Sequence, residues 1–556
     1  MRNAALIILF LGLVAPAGAG EKADRVFVNG RIWTGDEAHP RAEALAVRGT
    51  TILAVGTTQE IRRLAEKATE VVDLKGRFAA PGFIDAHLHF MNGSLGLDEL
   101  DLAGAAGGEE VQRRLAAYAR AHPDHLWLVG RGWAYGDFPE APHRRLLDAV
   151  VSDRPVWLRD RDGHSGWANS IALLFAGIDR RARDPEHGLI VRDSGGEPTG
   201  LLKEAAMELV RRKVPLPGAE ERYRALRKGL DLAASYGLTT VHDASFDEDD
   251  LPVFDRLLRE GGLKLRVYGA LPMVKDPTPD GLAHYRELQA QNQSPRLRLG
   301  AVKGFLDGVV DAKTAALLEP YTGGGTGIVN WTQEDLNRAA AFYDKERFQI
   351  LLHAVGDKAI RMALDAYAYA AQVNGPRTRR HRVEHAEVPT SADRARFKAL
   401  GVVASTQPLF ANPDRTTLQN YAVLLGPERA AQANAFRLWD EAGVAQAFGS
   451  DWPVFSCDVL KGIYCAVTRM TPEGTPAGGW QPQNRISAEA ALRHFTKDAA
   501  YASLEESLKG TLSPGKVADL VVLSDDILAV PPERILTAKV LLTVLGGQDT
   551  YRAKEF

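Results

Sequence analysis

Cysteine is nearly missing: the 556-residue chain has two, Cys457 and Cys465. Neither belongs to a CxxC pair, which argues against a structural zinc framework. One disulfide would add little at this size, and along a continuous helix the two would stand about 12 Å apart, too far to bridge. Both read as buried free thiols unless the chain turns between them. An excess of either charge is missing too: 68 Lys and Arg against 71 Asp and Glu leave a formal net charge of −3. No Lys/Arg run marks a polybasic patch, so nucleic acid is excluded as a partner. The triplet Gly323-Gly324-Gly325 lacks a following Lys-Ser/Thr and reads as a flexible loop, not a phosphate cradle. No internal repeat or low-complexity stretch stands out. What remains is ordinary globular composition, 45% hydrophobic and 25% charged, long enough for two domains or one large domain with an insertion.

The first residues differ in texture. Arg2 precedes an apolar run from Ala4 to Val14, and Ala17-Gly18-Ala19 supplies small residues for cleavage. The run is too short to span a bilayer comfortably, so residues 1–19 read as a secretory signal peptide removed from an exported protein, periplasmic or secreted. No Cys follows the small residues, which excludes lipid attachment there. A retained anchor is the minor alternative; after signal removal no stable membrane insertion is expected.

Residues 25–79 are β-rich, with short alternating runs such as RVFVNGRIW and ALAVRGTTILAVG, and ADLVVLS and VLLTVLGG repeat that texture near the C-terminus. Between them, PGFIDAHLHF, ASYGLTTVHDAS, KLRVYGALP, RLRLGAVKGFLDG, FQILLHAVGD, RRHRVEHAE, GVVASTQP and GVAQAFGSDWP make eight short strands. Helical patterns such as Glu334 to Lys345 and Lys358 to Gln372 separate several of them. Eight βα units with polar residues at strand C-termini predict an α/β fold of the (β/α)8 TIM-barrel type, with the active site at that end. Residues 95–230, too long for one βα unit, read as an inserted subdomain covering the mouth.

The chemistry collects at the strand ends. His87 and His89 end the first strand, Lys303 the fourth, His353 the fifth, His385 the sixth and Asp451 the eighth. Residues i and i+2 of a strand share a face, so His87 and His89 offer two nitrogens to one divalent metal. Each of these residues alone has an ordinary structural reading; six in the right order form a metal site.

These motifs, with DGHSGWANS, LHAVGDKA and TLSPGKVADLVVL from Thr511, resemble the amidohydrolase superfamily, specifically its amidohydrolase-3 branch, which includes N-substituted formamide deformylases. The resemblance covers about residues 25–550. It implies a small β-sandwich built from residues 20–79 and 506–556 around a barrel at 80–505. It also implies a metal-dependent hydrolase with one or two divalent ions, usually zinc. His87, His89 and Asp451 would hold the more buried ion, and His353 and His385 the second. An ammonium between cations would repel them, so Lys303 would bridge as a carbamate formed with CO2.

Such a site lowers the pKa of bound water toward roughly 7, and the metal-bound hydroxide attacks a carbonyl carbon. Asp451 would act as catalytic acid/base, passing the water's proton to the leaving nitrogen. The expected substrate is a small molecule with a non-peptide C–N bond: an amide, formamide or cyclic amide. Lactone, ester or phosphoester hydrolysis at the same metal is the alternative, and an exported non-catalytic binding protein a second one. Assembly into a homo-oligomer stays open.

Weaker marks complete the reading. His164 and Trp133 in the insertion, His242 at the end of the second strand and Trp452 beside Asp451 are candidates to contact substrate. For Trp133 packing is the stronger reading. Asp307 and Asp311 read as loop braces, and Arg382 and Glu384 as supports pointing away from His385. The leader yields a direct prediction: intact mass of protein recovered from its native host should place the mature N-terminus near Gly20, and a full-length cytoplasmic chain would refute the signal.

Overall fold

A computed structural model describes residues 21–415 and 417–556; the expected leader lies outside the described residues. Eight parallel strands form one sheet in chain order. They are β1 (Phe83–Leu88), β2 (Leu238–Asp243), β3 (Arg266–Pro272), β4 (Leu297–Phe305), β5 (Gln349–Ala354), β6 (Arg382–His385), β7 (Val403–Thr406) and β8 (Gln446–Phe448). Most are short apolar runs because a parallel sheet wrapped by helices is buried on both faces. The pattern is visible in β5, where QILLHA is buried throughout.

Alternation sorts these side chains. On β4 and β5, Val302, Ile350 and Leu352 face outward and pack with Leu336, Ala339 and Tyr343 of the helix Gln333–Lys345 and Ile360 and Tyr367 of Asp357–Asn374. Their neighbours Ala301 and Leu351 turn the other way and meet Tyr268 and Ala270 inside the barrel. Helix starts are set locally: the Thr332 hydroxyl accepts from Asp335 N at 3.1 Å, and Thr390 does the same for Asp393 N.

The sheet closes between its first and last strands beyond β8. Asp451 N donates to His87 O at 2.7 Å and His89 N to Trp452 O at 2.7 Å. Ser450 N and Oγ both donate to Asp85. Gly449 permits this approach, since a Cβ there would lie 2.5 Å from His87 N.

Two further sheets pack face to face from both chain ends. Phe78–Pro81 pairs antiparallel with Leu520–Leu523, and Phe27, Leu45 and Val72 of one sheet bury against Leu520, Val522 and Leu542 of the other. Asp519 reaches from this sandwich to the barrel, accepting from Arg266 Nε at 2.7 Å and Nη2 at 2.9 Å.

Between β1 and β2 lies a six-stranded sheet running from Leu100–Asp101 to Gly188–Arg192, with Trp133, Leu158 and Trp167 in its core. Both cysteines are buried and free. Among the described residues no helix is long and apolar enough to cross a membrane.

Candidate metal centre

Closure brings the two ends of the barrel sheet onto one point. Ligand atoms of His87, His385 and Asp451 lie within 4.8 Å of one another, all buried. His87 Nε2 stands 3.4 Å from Asp451 Oδ1, and His89 Nε2 3.2 Å from the same oxygen. His385 Nδ1 is 3.9 Å from Asp451 Oδ2, and the His353 ring lies 4.5 Å from the His385 ring. The Nε2 atom of His353 turns toward Gly308 O at 3.2 Å, leaving Nδ1 as its other nitrogen. Two of these residues take backbone conformations that redirect side chains: His385 at φ +71° and Asp451 at φ +58°.

The histidines are oriented by neighbours. His87 Nδ1 bonds Glu384 Oε2, His89 Nδ1 bonds Ser245 Oγ at 2.6 Å, and His385 Nδ1 bonds Gln407 Oε1 at 3.0 Å. Glu384 also pairs with Arg382, Nε to Oε1 at 2.8 Å, and is held far below the ordinary carboxylate range. Burial opposes that, but the Arg382 and His87 charges outweigh it. As an ionised acceptor, Glu384 places the His87 proton on Nδ1, so the Nε2 lone pair faces Asp451 Oδ1. Neither atom has a hydrogen-bond partner, and neither does the buried Lys303 Nζ.

Two facing lone pairs in a buried site are costly unless a proton or a metal cation lies between them. The titration behaviour agrees. Burial and Lys303 push His87 down, yet Glu384 and Asp451 outweigh them and hold it above its usual value, favouring positive charge there. Burial pushes His353 well down and His385 to about 3, leaving neutral nitrogens of the kind metals take. Asp451 stays ionised despite burial because His87, His89 and His385 surround it. Burial also pulls Lys303 from 10.5 to about 8, which makes its neutral amine accessible near neutral pH. The donor set, nitrogen and carboxylate oxygen with orphaned atoms at its centre, fits a divalent transition metal.

A cavity of about 360 Å³ opens onto this cluster, lined by His89, His353, His385 and Asp451 on the barrel side. The insertion supplies the opposite wall, including Arg159, Arg161, His164 and Glu204. His164 lies 5.1 Å from the His353 ring and bonds Glu204 Oε2 at 2.9 Å. Although burial opposes it, Glu204 with Asp160 and Asp162 carries His164 up to about 9. Arg161 is tied to Asp414 at 2.8 Å, Asp162 at 3.3 Å and Asp311 at 3.5 Å.

Other expectations need correction. Trp133, for which packing is the stronger reading, sits in the insertion core and not on this cavity, its Nε1 donating to Leu158 O at 3.0 Å. His242 lies inside the barrel, accepting from Arg382 Nη1 at 3.1 Å, because inward positions on short strands fill the core as well as the mouth. Trp452 packs on Phe90 and walls a neighbouring cavity, not the one over the cluster. Glu384 does not turn away from the site. Simple alternation assigns it outward, but the left-handed backbone at His385 breaks the alternation and lets both residues reach His87. Asp307 is a brace as expected, its oxygens accepting from Ala316, Val355 and Gly356. Sequence reasoning missed Ser245, Gln407 and Glu387. The last is buried against Tyr421, with one oxygen unpartnered, and burial raises it to about 8. RVEHAE carried the only available signal for Glu384 and Glu387, two acids flanking one histidine.

Comparison with known proteins agrees with this geometry. Residues 70–551 match the profile of the amidohydrolase family. Protein LONG AFTER FAR-RED 3 of Arabidopsis thaliana is 35% identical over 96% of this chain and 92% of its own length. N-substituted formamide deformylase of Arthrobacter pascens is 27% identical over 95% of this chain and 98% of its own. Among solved structures, an uncharacterized metal-dependent hydrolase from Pyrococcus furiosus superposes with a TM-score of 0.70 at 27% identity, covering 91% of this chain and 99% of that one.

The role of Glu384 as orienting acid is open to measurement. Glu384→Gln keeps the shape but removes the charge that fixes the His87 tautomer. Metal affinity, read by competition with a chromophoric chelator, should fall about 10–100-fold. Unchanged affinity would leave Glu384 a purely structural partner of Arg382.

Proposed function

Because this chain belongs to the amidohydrolase family, we propose that it is a metal-dependent hydrolase of carbon–nitrogen bonds other than peptide bonds. Its substrates are amides, formamides or cyclic amides. The observation that carries the reading is the set of orphaned, buried donors at the barrel mouth: His87 Nε2, Asp451 Oδ1 and Lys303 Nζ. His87, His89 and Asp451 would hold one ion, His353 and His385 a second, and Lys303 as its carbamate would lie between them. Zinc suits this mixture of imidazole and carboxylate. A divalent metal bound there supplies Lewis acidity, polarising a carbonyl oxygen and bringing the pKa of water from about 15.7 toward roughly 7.

The protein's own residues do the rest. Glu384, Ser245 and Gln407 each engage the Nδ1 atom of a histidine and so fix ring orientation. Asp451, ionised and buried, accepts a proton from the attacking water and returns it to the leaving nitrogen. The insertion forms the wall of the cavity opposite the barrel. The 27% identity to a formamide deformylase supports the C–N bond as the target.

Purified protein should contain zinc by elemental analysis and lose activity to chelators, with recovery on zinc addition. A panel of formamides, lactones and phosphotriesters should be hydrolysed at the amide bond preferentially. At matched metal content Asp451→Asn should lower kcat by about 10²–10⁴ with little change in substrate affinity. Metal-free protein indifferent to chelators, or preferential lactone or phosphotriester hydrolysis, would overturn the reading.

The carbamate has its own test. Lys303→Ala should lose metal and activity and regain part of both with short carboxylic acids, which replace the bridging oxygens. Full activity in the variant would exclude the bridge.

A further inference from the structure

The inserted sheet sets a row of charge against the metal cavity. Strands Leu128–Trp133 and Val156–Asp160 run parallel, and their register puts Arg131 beside Arg159. On its other side Arg131 stands in register with Asp101. Alternation sends Arg159 to the face of Trp157, and Arg131, Trp157 and Arg159 all line the cavity over the metal cluster. Like charges at neighbouring positions of a sheet repel. Burial first, and then Arg159, pull Arg131 below the ordinary guanidinium value, with Glu99 and Asp101 opposing only in part.

Arg131 is the unmatched cation. Among the described residues it forms no ion pair, and its Nη2 donates to Pro453 O, two residues past Asp451. That contact uses one of the five N–H donors of the guanidinium. The other cations of the cavity are matched: Arg159 by Glu99 at 2.6 Å, Arg161 by Asp414 at 2.8 Å, Arg211 by Glu208 at 2.5 Å and His164 by Glu204 at 2.9 Å. Two further acids are engaged elsewhere, Asp160 with Ser165 N at 3.0 Å and Glu387 with the Tyr421 hydroxyl. Arg131 also borders a neighbouring cavity of about 530 Å³, which holds Glu99 and Asp101. Gly96 leaves room for its stem, since a Cβ there would lie 3.2 Å from Arg131 Cδ.

We propose that Arg131, with Arg159 beside it, binds a carboxylate carried by the substrate, so that the preferred amides are anions. The inference deepens the hydrolase reading above and rests on it. A guanidinium offers paired N–H groups that match both oxygens of a carboxylate. Arg159, already held by Glu99, adds its field. Pro453 ties Arg131 to the loop that carries Asp451, and two residues of chain span at most about 7 Å. A carboxylate on Arg131 is therefore joined to the reacting bond by a short linker.

Kinetics on the zinc-loaded enzyme test this with isosteric pairs: N-formylglycine against N-isobutylformamide, N-formyl-β-alanine against N-isopentylformamide, and succinamate against isocaproamide. In at least one pair kcat/KM should favour the anion by about tenfold or more, and less so as salt rises. Arg131→Met should cut that ratio by about tenfold or more, and Arg131→Lys should retain part of it. A merely structural loss lowers both members of a pair and leaves their ratio alone. Ratios near unity in every pair, or a ratio unchanged in Arg131→Met, would overturn the proposal.

Calorimetry separates the anion site from the chemistry. N-(methylsulfonyl)glycine carries the carboxylate but no hydrolysable carbonyl, and N-isobutylmethanesulfonamide is its neutral counterpart. Preferential binding of the first that Arg131→Met weakens about tenfold or more, in a protein that hydrolyses no amide, would keep the anion site and overturn the hydrolase reading. Amide hydrolysis with no preference for the anions would keep the hydrolase and overturn the anion site. Binding that Arg131→Met leaves unchanged would put the carboxylate on the metal and overturn the assignment to Arg131.

Discussion

The structure depends on the closure between its first and last barrel strands. Hydrogen bonds from Asp451 N to His87 O and from His89 N to Trp452 O close the sheet, and the first joins two residues at the centre of the site. A ligand on β1 and a ligand past β8 are distant in the chain, and only a complete barrel makes them neighbours. The carboxylate–serine contact at Asp85 and Ser450 holds the same seam one step inward. Gly449 is part of the constraint, because any side chain there would wedge the seam open. Fold and chemistry therefore share a single joint.

Around that joint the protein buries charge at a cost. Arg382, Glu384, Lys303 and Asp451 are each almost wholly shielded from water. Ions so placed are expensive unless each finds opposite charge and hydrogen bonds. Arg382 Nη2 donates to Glu384 Oε2 at 2.9 Å, and His242, Ala86 and Ser405 accept from the two terminal nitrogens of the guanidinium. Asp451 and His87 are left facing each other at 3.4 Å with no hydrogen bond formed between them. The imbalance sits where a cation belongs, so stability foregone in the free protein returns as binding energy for the metal.

How much of this could be read from sequence follows from the same physics. Buried parallel strands run as short apolar segments, so all eight were visible, and β5 was visible with its terminal His353. Ligands at strand ends stand out because a polar residue closing an apolar run has few structural reasons to be there. The orienting residues were not visible. Ser245 and Gln407 look like any short polar residue in a loop, and Glu384 was assigned outward by an alternation that the positive φ of His385 cancels. His242 failed for the opposite reason: position in the chain suggested the mouth, but packing of the barrel interior claimed it first.

The sandwich carries a consequence for how the chain becomes a protein. The strand Phe78–Pro81 runs almost directly into β1, and its antiparallel partner Leu520–Leu523 lies beyond the whole barrel in the chain. The strand that leads into the barrel is thus committed to a neighbour that the chain supplies only after the barrel. Contacts of such long sequence separation slow folding and lengthen the interval in which unpaired strand edges are exposed. Strands that follow the barrel in the chain thus latch one that precedes it, so this sheet is complete only when the whole barrel lies between its two halves.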